Sequence, residues 1–346
     1  MKILVTTNAV PFVRGGAEEL AEHLVLHLNA RKGIQAELLR IPFRWDPAER
    51  LVDEIVLNRS LKLYNVDRVI GMKFPAYLIP HDNKTLWLMH QYRQAYDLYR
   101  EGLTNIEMGP GGERLIAAIR AADNACFANA KQIFTISPVV KDRLERFNQT
   151  SAEVLHHPLN DPERFGGGSY EGYIFAGGRV GSGKRQHLLV EAMQYVRADL
   201  RLIVAGPLES PAYGEELMAL AQRLEVADKV EFRFGFRPRD EIVGLVNGAL
   251  ACAAAPIDED SISYVAMEAF AAGKCVVTTA DAGGLLEIVE NGETGFVTAA
   301  SAEAIGCALE MLGADRSRAV KLGAAARRAW DRLDISWASR IDRLLA

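Results

Sequence analysis

The chain has 346 residues, 49% hydrophobic and 25% charged, with a formal net charge of −5. That length exceeds one ordinary core and suits two domains. The first 168 residues carry 21 basic and 20 acidic side chains against 19 and 25 in the remainder, which argues against a strongly basic nucleic-acid surface. Cys126, Cys252, Cys275 and Cys307 stand far apart with no Cys-x-x-Cys pair, so zinc and a disulfide framework are both disfavoured. No apolar run reaches the length of a membrane span. Met1-Lys2 passes directly into a strand pattern instead of a signal peptide, so the expected location is cytoplasmic.

Residues 2–7 (KILVTT) form a nearly continuous β-branched apolar run, the pattern of a central parallel strand. A loop ending in Gly15-Gly16 leads into a helix whose apolar face is Ala17, Leu20, Ala21, Leu24, Val25 and Leu28. With a second strand near 36–41 this makes a βαβ unit, and the glycine pair fits either a tight turn or a close approach of backbone to a ligand. Residues 45–63 read as a helix. Further strands are expected at 66–71 and 84–89, the second ending in His90. Ligands in open α/β sheets sit beyond the carboxyl ends of strands, so His90 is either functional or a structural histidine bonded to a neighbouring carbonyl. Tyr92, Tyr96 and Tyr99, with Arg93 and Asp97, fit an acceptor wall and ordinary helix packing equally well. A helix over 113–127 and a strand over 133–136 follow. Ser137-Pro138 then has the form of an N-cap with proline at the first helical position, opening a helix at 139–147 with Lys141, Arg143 and Arg146 exposed. A short strand at 154–155 ends the alternation.

Residues 157–168 (HPLNDPERFGGG) concentrate Pro, Asn, Asp and Gly without periodicity and read as a linker. The alternation then restarts: a strand at 173–176, the glycine-rich turn 177–184 (GGRVGSGK), and a helix at 185–196. The turn has Gly-x-x-x-x-Gly-Lys spacing, but Arg185 stands where a Walker magnesium-binding hydroxyl belongs. Arg179 and Lys184 remain suited to phosphate, the first as a fork and the second as a point charge. Strands are expected at 199–205, 229–234 and 250–255, with helices at 214–224 and from Pro238-Arg239-Asp240 to Asn247 between them.

The last of these strands enters the most informative stretch, Pro256 to Phe296. Ser261 and Ser263 are both plausible caps for a helix carrying Val265 to Ala272, and amides around Ser263, Tyr264 and Val265 would face an anion. Asp258 and Asp260 read as a solvated acidic loop with no metal shell. Glu268 sits inside an apolar helix, where an unpaired charge is expensive. It therefore requires an internal cation or a ligand bearing hydroxyls. Gly283-Gly284 opens what reads as a further helix.

Taken together, several motifs resemble the retaining glycosyltransferases of family 4. They are Gly15-Gly16-Ala17-Glu18, His90 after a strand, Gly177-Gly178-Arg179 with Gly183-Lys184, and an acid followed after seven residues by Glu268-Ala269. Val276-Val277-Thr278-Thr279, Gly283-Gly284, Glu287-Ile288-Val289 and Asn291-Gly292-Glu293-Thr294-Gly295-Phe296 complete the set. The resemblance covers nearly the whole chain. It implies the GT-B fold: two Rossmann-like, doubly wound α/β domains facing a central cleft, with a C-terminal helix returning to the first. The expected domains are 1–160 on the acceptor side, completed by the helix 331–346, and 161–330 on the donor side.

By matching position, the resemblance implies that Arg179 and Lys184 bind the donor diphosphate and Glu268 the ribose. Asp260 takes the place of the first Glu of the family's Glu-x7-Glu motif, beside the transferred sugar. His90 lies near the sugar, and Gly16, next to Gly15, offers a loop amide to the phosphate. The implied reaction is metal- and cofactor-free transfer from an NDP-sugar, with UDP or GDP as nucleotide. Its acceptor would be a glycan, lipid-linked or small-molecule hydroxyl, with peripheral contact to the cytoplasmic face of a membrane. Two departures, Asp260 for Glu and Ser263 for Gly, also fit a catalytically silent homologue that binds a nucleotide sugar or a partner glycosyltransferase.

Overall fold

In the computed structural model, which describes residues 1–12 and 15–346, the apolar runs become strands covered on both faces. Val13 and Arg14, in the loop read before the glycine pair, lie outside the described residues. β1 (Lys2–Ala9), β2 (Gln35–Pro42), β3 (Arg68–Lys73), β4 (Lys84–His90), β5 (Gln132–Thr135) and β6 (Glu153–Val154) form one parallel sheet in the order β2-β1-β3-β4-β5-β6. β4 shows why its sequence lacks alternation. Trp87 and Met89 pack with Ile3, Val5 and Leu24, while Leu86 and Leu88 pack on the opposite face with Tyr77 and Ile119. A strand buried on both sides keeps every position apolar.

β7 (Tyr173–Gly177), β8 (Arg201–Gly206), β9 (Val230–Phe234), β10 (Ala251–Ala253), β11 (Val276–Thr279) and β12 (Gly295–Thr298) form a second parallel sheet, ordered β12-β11-β10-β7-β8-β9. The chain divides into two units, Met1–Pro158 with Ile335–Ala346, and Leu159–Asp334. The helix Trp337–Leu345 belongs to the first unit: Trp337, Ile341 and Leu344 are buried in the core that holds Ile3, Leu24 and Trp87. Trp337 stacks on His27 at 4.8 Å between ring centroids and meets Trp87 edge-on at 6.4 Å.

Several local expectations are corrected. The helix read over 45–63 is confined to Leu51–Ser60, behind a 3₁₀ turn at Ala48–Arg50. Arg185 lies outside its helix, which runs Gln186–Ala192. The Gly283-Gly284 pair opens only a 3₁₀ turn, Gly284–Glu287. Arg143 is buried and not exposed, because Asp97 lies 3.4 Å from it and also holds Arg93. Ser137 caps its helix as expected, accepting from the Val140 amide at 3.1 Å.

Tyr92 and Tyr96 resolve as packing. The Tyr96 hydroxyl donates to Asp123 at 2.7 Å, and Tyr77 donates to the other carboxylate oxygen at 2.9 Å. Burial pushes the Asp123 carboxyl up to about 7, against the opposing effect of those two hydroxyls. An acid with a raised folded pKa contributes stability that is full below its unfolded value, near 4, and is lost as pH rises through about 7. Asp123→Asn should therefore flatten the fall in stability between those pH values, as read by denaturant unfolding at several pH values. Trp337→Ala should lower the stability of the first unit by about 3–5 kcal/mol, seen in the same unfolding curves.

Candidate functional site

In the second sheet β7 and β10 are neighbours, although β8 and β9 intervene in the chain. The connections from β7 and β10 therefore lead to opposite sides, toward β8 and β11, the topology that places a crevice beyond the carboxyl ends of these strands. Three loops meet there: 178–185 after β7, 254–263 after β10 and 280–284 after β11. They are tied by backbone bonds. The Ile257 amide donates to the Gly183 carbonyl at 3.0 Å, Asp258 to Asp281 at 2.9 Å, Glu259 to Ala282 at 3.2 Å and Gly284 to Glu259 at 2.8 Å. Gly283 has φ +66°, and a Cβ there would collide with the Glu259 backbone. At Gly284 a Cβ would stand 2.6 Å from Ser261 Cα. The glycine pair is thus required by close packing of two loops.

Lys184 and Arg179 emerge from the first loop in different states. Lys184 is ion-paired with Glu259, while the Arg179 side chain is exposed and makes no ion pair among the described residues. Arg185 turns inward. Its guanidinium donates to the carbonyls of Ala255 at 2.7 Å and Pro256 at 2.9 Å, to Thr279 Oγ1 at 2.9 Å, and to both Asp281 oxygens at 2.7 and 2.8 Å. These hydrogen bonds hold the Asp281 carboxyl down to about 2. Arg185 also sits at φ +53°, a left-handed conformation that costs a residue with a Cβ roughly 1–2 kcal/mol.

Beyond the acidic loop, Ser263 is the N-cap of the helix Tyr264–Ala271, its Oγ accepting from the Ala266 amide at 3.3 Å. Its φ of −70° and ψ of 148° lie in ordinary extended space, so a serine fits without strain. The first intrahelical bonds are donated by Ala266 and Met267 to the Ser263 carbonyl. The amides of Tyr264 and Val265 thus precede them, at the positive end of the helix. A Cβ on Gly178, beside Arg179, would lie 3.6 Å from Val265 Cγ2, so the glycine turn and the helix start are in contact.

Glu268, 4% exposed, receives a cation from within: Arg239. That guanidinium also donates to the Asn160 carbonyl at 2.9 Å and lies 4.9 Å from the centre of the Phe165 ring.

The second unit thus gathers Arg179, Lys184, Asp260, Ser263, Tyr264, Val265 and Glu268 on the loops and helix of one crevice. Asp260 is half-buried in the acidic loop, and it is the adjacent Glu259 that carries the Lys184 pair. Gly15, Gly16 and His90 belong to the first unit. Gly15 is the N-cap of the helix Gly16–Asn29, in an extended conformation (φ −163°) open to any residue. His90 ends β4, with Nδ1 2.6 Å from the Gln91 carbonyl. A carbonyl only accepts, so Nδ1 carries the proton in this contact. Glu259, Arg185, Arg239 and Asp281 were not singled out from sequence as site residues. Only Arg239 was signalled, by the need of Glu268 for a partner.

The model of the family described as glycosyl transferases group 1 matches residues 161–329. No curated protein matches the chain in sequence. Among solved structures, HepE from Anabaena, in complex with UDP and glucose, is similar with a TM-score of 0.74 and 17% identity, over 100% of this chain and 98% of that one. Sucrose-phosphate synthase from Thermosynechococcus elongatus gives 0.77 and 17%, over 99% and 97%. A glycosyltransferase from Rickettsia africae gives 0.73 and 19%, over 99% and 97%. At such identities the likeness speaks for the fold, which is GT-B along the whole chain. Residues 161–329, within the second unit, are thus similar to the glycosyl transferases group 1.

Proposed function

We propose that the protein is a retaining glycosyltransferase of family 4 that moves a sugar from a UDP- or GDP-sugar to a hydroxyl acceptor without a metal. The observation that carries this reading is the crevice beyond β7 and β10. Two cations, a helix start and a buried carboxylate converge there, within the segment that matches the family. Each suits one part of a nucleotide-diphosphate sugar. Arg179 and Lys184 oppose the charge that grows on the diphosphate as the glycosidic bond breaks, and the Tyr264 and Val265 amides supply oriented dipoles. Glu268 accepts from ribose hydroxyls, Asp260 lies toward the transferred sugar, and Gly16 offers an amide to the phosphate. His90 lies near the transferred sugar. Retention follows if the acceptor attacks from the face the diphosphate leaves, with that phosphate taking the acceptor proton.

That HepE is seen with UDP and glucose supports a uridine donor. The acceptor is a glycan, a lipid-linked or a small-molecule hydroxyl compound held by the first unit. No helix among the described residues is long and apolar enough to cross a membrane. A lipid acceptor, where one is used, would be met by peripheral contact at the cytoplasmic face.

Glu268→Ala should weaken UDP or GDP binding at least tenfold by calorimetric titration, about 1.4 kcal/mol. Unchanged affinity would remove Glu268 from the site, and a wild-type chain that binds neither nucleotide would refute the donor reading. Tight binding with no turnover of any donor, across an acceptor library, would instead favour the silent homologue. Glu259→Gln should weaken nucleotide binding roughly threefold, because it removes the carboxylate that holds Lys184 in place at a half-buried pair. Tighter binding in this variant would mean that Glu259 instead competes with phosphate for Lys184.

A further inference from the structure

Arg185 is an unusual residue to find where it is. Its backbone adopts φ +53°, a region that glycine enters freely and a side-chain-bearing residue does not. Its side chain is a guanidinium with 8% exposure, which is costly to bury unless its donors are paired. A residue that meets both costs at once is held by its surroundings, and such over-determined strain clusters at working sites. The surroundings here are specific. Ala255 and Pro256 lead directly into Ile257–Asp260, and Thr279 and Asp281 lead directly into Gly283-Gly284. On its amino side is Lys184.

We infer that Arg185 is the positioning residue of this site: its guanidinium pins the loops after β10 and β11 together, and its left-handed backbone turns Lys184 onto Glu259. The left-handed residue separates the 3₁₀ turn Ser182–Lys184 from the helix Gln186–Ala192, so neighbouring side chains diverge. Arg185 goes into the protein to grip the carbonyls at the base of the acidic loop, and Lys184 goes to the carboxylate at its crest. The grip fixes both members of the Lys184–Glu259 pair, one through its own chain and one through the carbonyls it holds. A fork is needed for this. The bidentate bond to Asp281 leaves Nε for Ala255, and a lysine has one point of attachment where arginine has three. Arg185 touches no substrate in this account and acts through Lys184. The nucleotide part of the inference rests on the donor-site reading above, and the placement of Lys184 does not.

The test uses the full chain with Arg185→Gly, Arg185→Lys and Asp281→Asn. Two readouts are taken: the rate at which an amine-acylating reagent modifies Lys184, followed by peptide mass spectrometry, and UDP affinity by calorimetry. Glycine accepts the left-handed turn, so Arg185→Gly removes the grip while relieving the backbone. We expect Lys184 to be modified several times faster and UDP to bind about tenfold more weakly, with Arg185→Lys intermediate and Asp281→Asn shifted in the same direction. If the left-handed backbone alone mattered, Arg185→Gly would match wild type in both readouts, and that result would overturn the inference. Should Arg185→Gly fail to fold, Asp281→Asn decides on the same terms, since it leaves the arginine in place and removes its fork. A wild type that binds neither UDP nor GDP would end the donor reading, and Lys184 reactivity would then decide the inference alone.

Discussion

A parallel sheet whose strand order reverses at its centre leaves three loop bases with no strand to pair with, and the second unit depends on how those loops are joined. The sheet reaches a little past its own ends. Isolated bridges pair Glu259 with Gly283 beyond β10 and β11, and Val180 with Leu208 beyond β7 and β8. Gly206, at the end of β8, has φ +144°, and a Cβ there would collide with the Gly178 carbonyl, so the glycine turn rests on bare backbone. The remaining polar groups fall to Arg185. With the Asp281 carboxyl held down to about 2, its ion pair stays charged throughout the pH range in which the protein would work. Everything proposed for the crevice inherits its geometry from this junction.

The fold was legible in the sequence because central strands such as β3, β4, β7 and β8 are buried on both faces and therefore mostly apolar, while the first helix keeps one apolar stripe. Leu20, Ala21, Leu24 and Leu28 are buried along the first helix as their spacing requires. The resemblance supplied the GT-B fold at once. What the sequence left obscure were ends and exceptions. Residues 45–50 carry charges in a helix-like pattern, yet Pro47 starts only a 3₁₀ turn there. Arg143 looked like a surface cation because its partner, Asp97, is distant in sequence.

The candidate site divides in the same way. Residues marked by local chemistry could be found: glycines in a turn, a serine before a helix, a carboxylate among alanines. Glu268 was read as needing a cation or a ligand. The structure supplies a cation, Arg239, without excluding hydroxyls at the remaining lone pairs. Residues whose importance is relational could not be found this way. Nothing within five residues of Arg185 announces a buried guanidinium, since its acceptors lie about 70 and 95 positions away. Glu259 was passed over for Asp260 because alignment with a motif weighs position, while the pair with Lys184 depends on which side of the loop each carboxylate leaves.

The helix Trp337–Leu345 has a consequence for how the protein is made. The first unit contains residues at both ends of the numbering, and residues 159–334 are synthesised before that helix exists. Until it emerges from the ribosome, the surface formed by Ile3, Leu24, Trp87 and their neighbours lacks Trp337, Ile341 and Leu344. The amino-terminal unit is therefore the one that closes later, although its sheet is translated first. During that interval an apolar groove stands open, and its closure rests on a helix of nine residues.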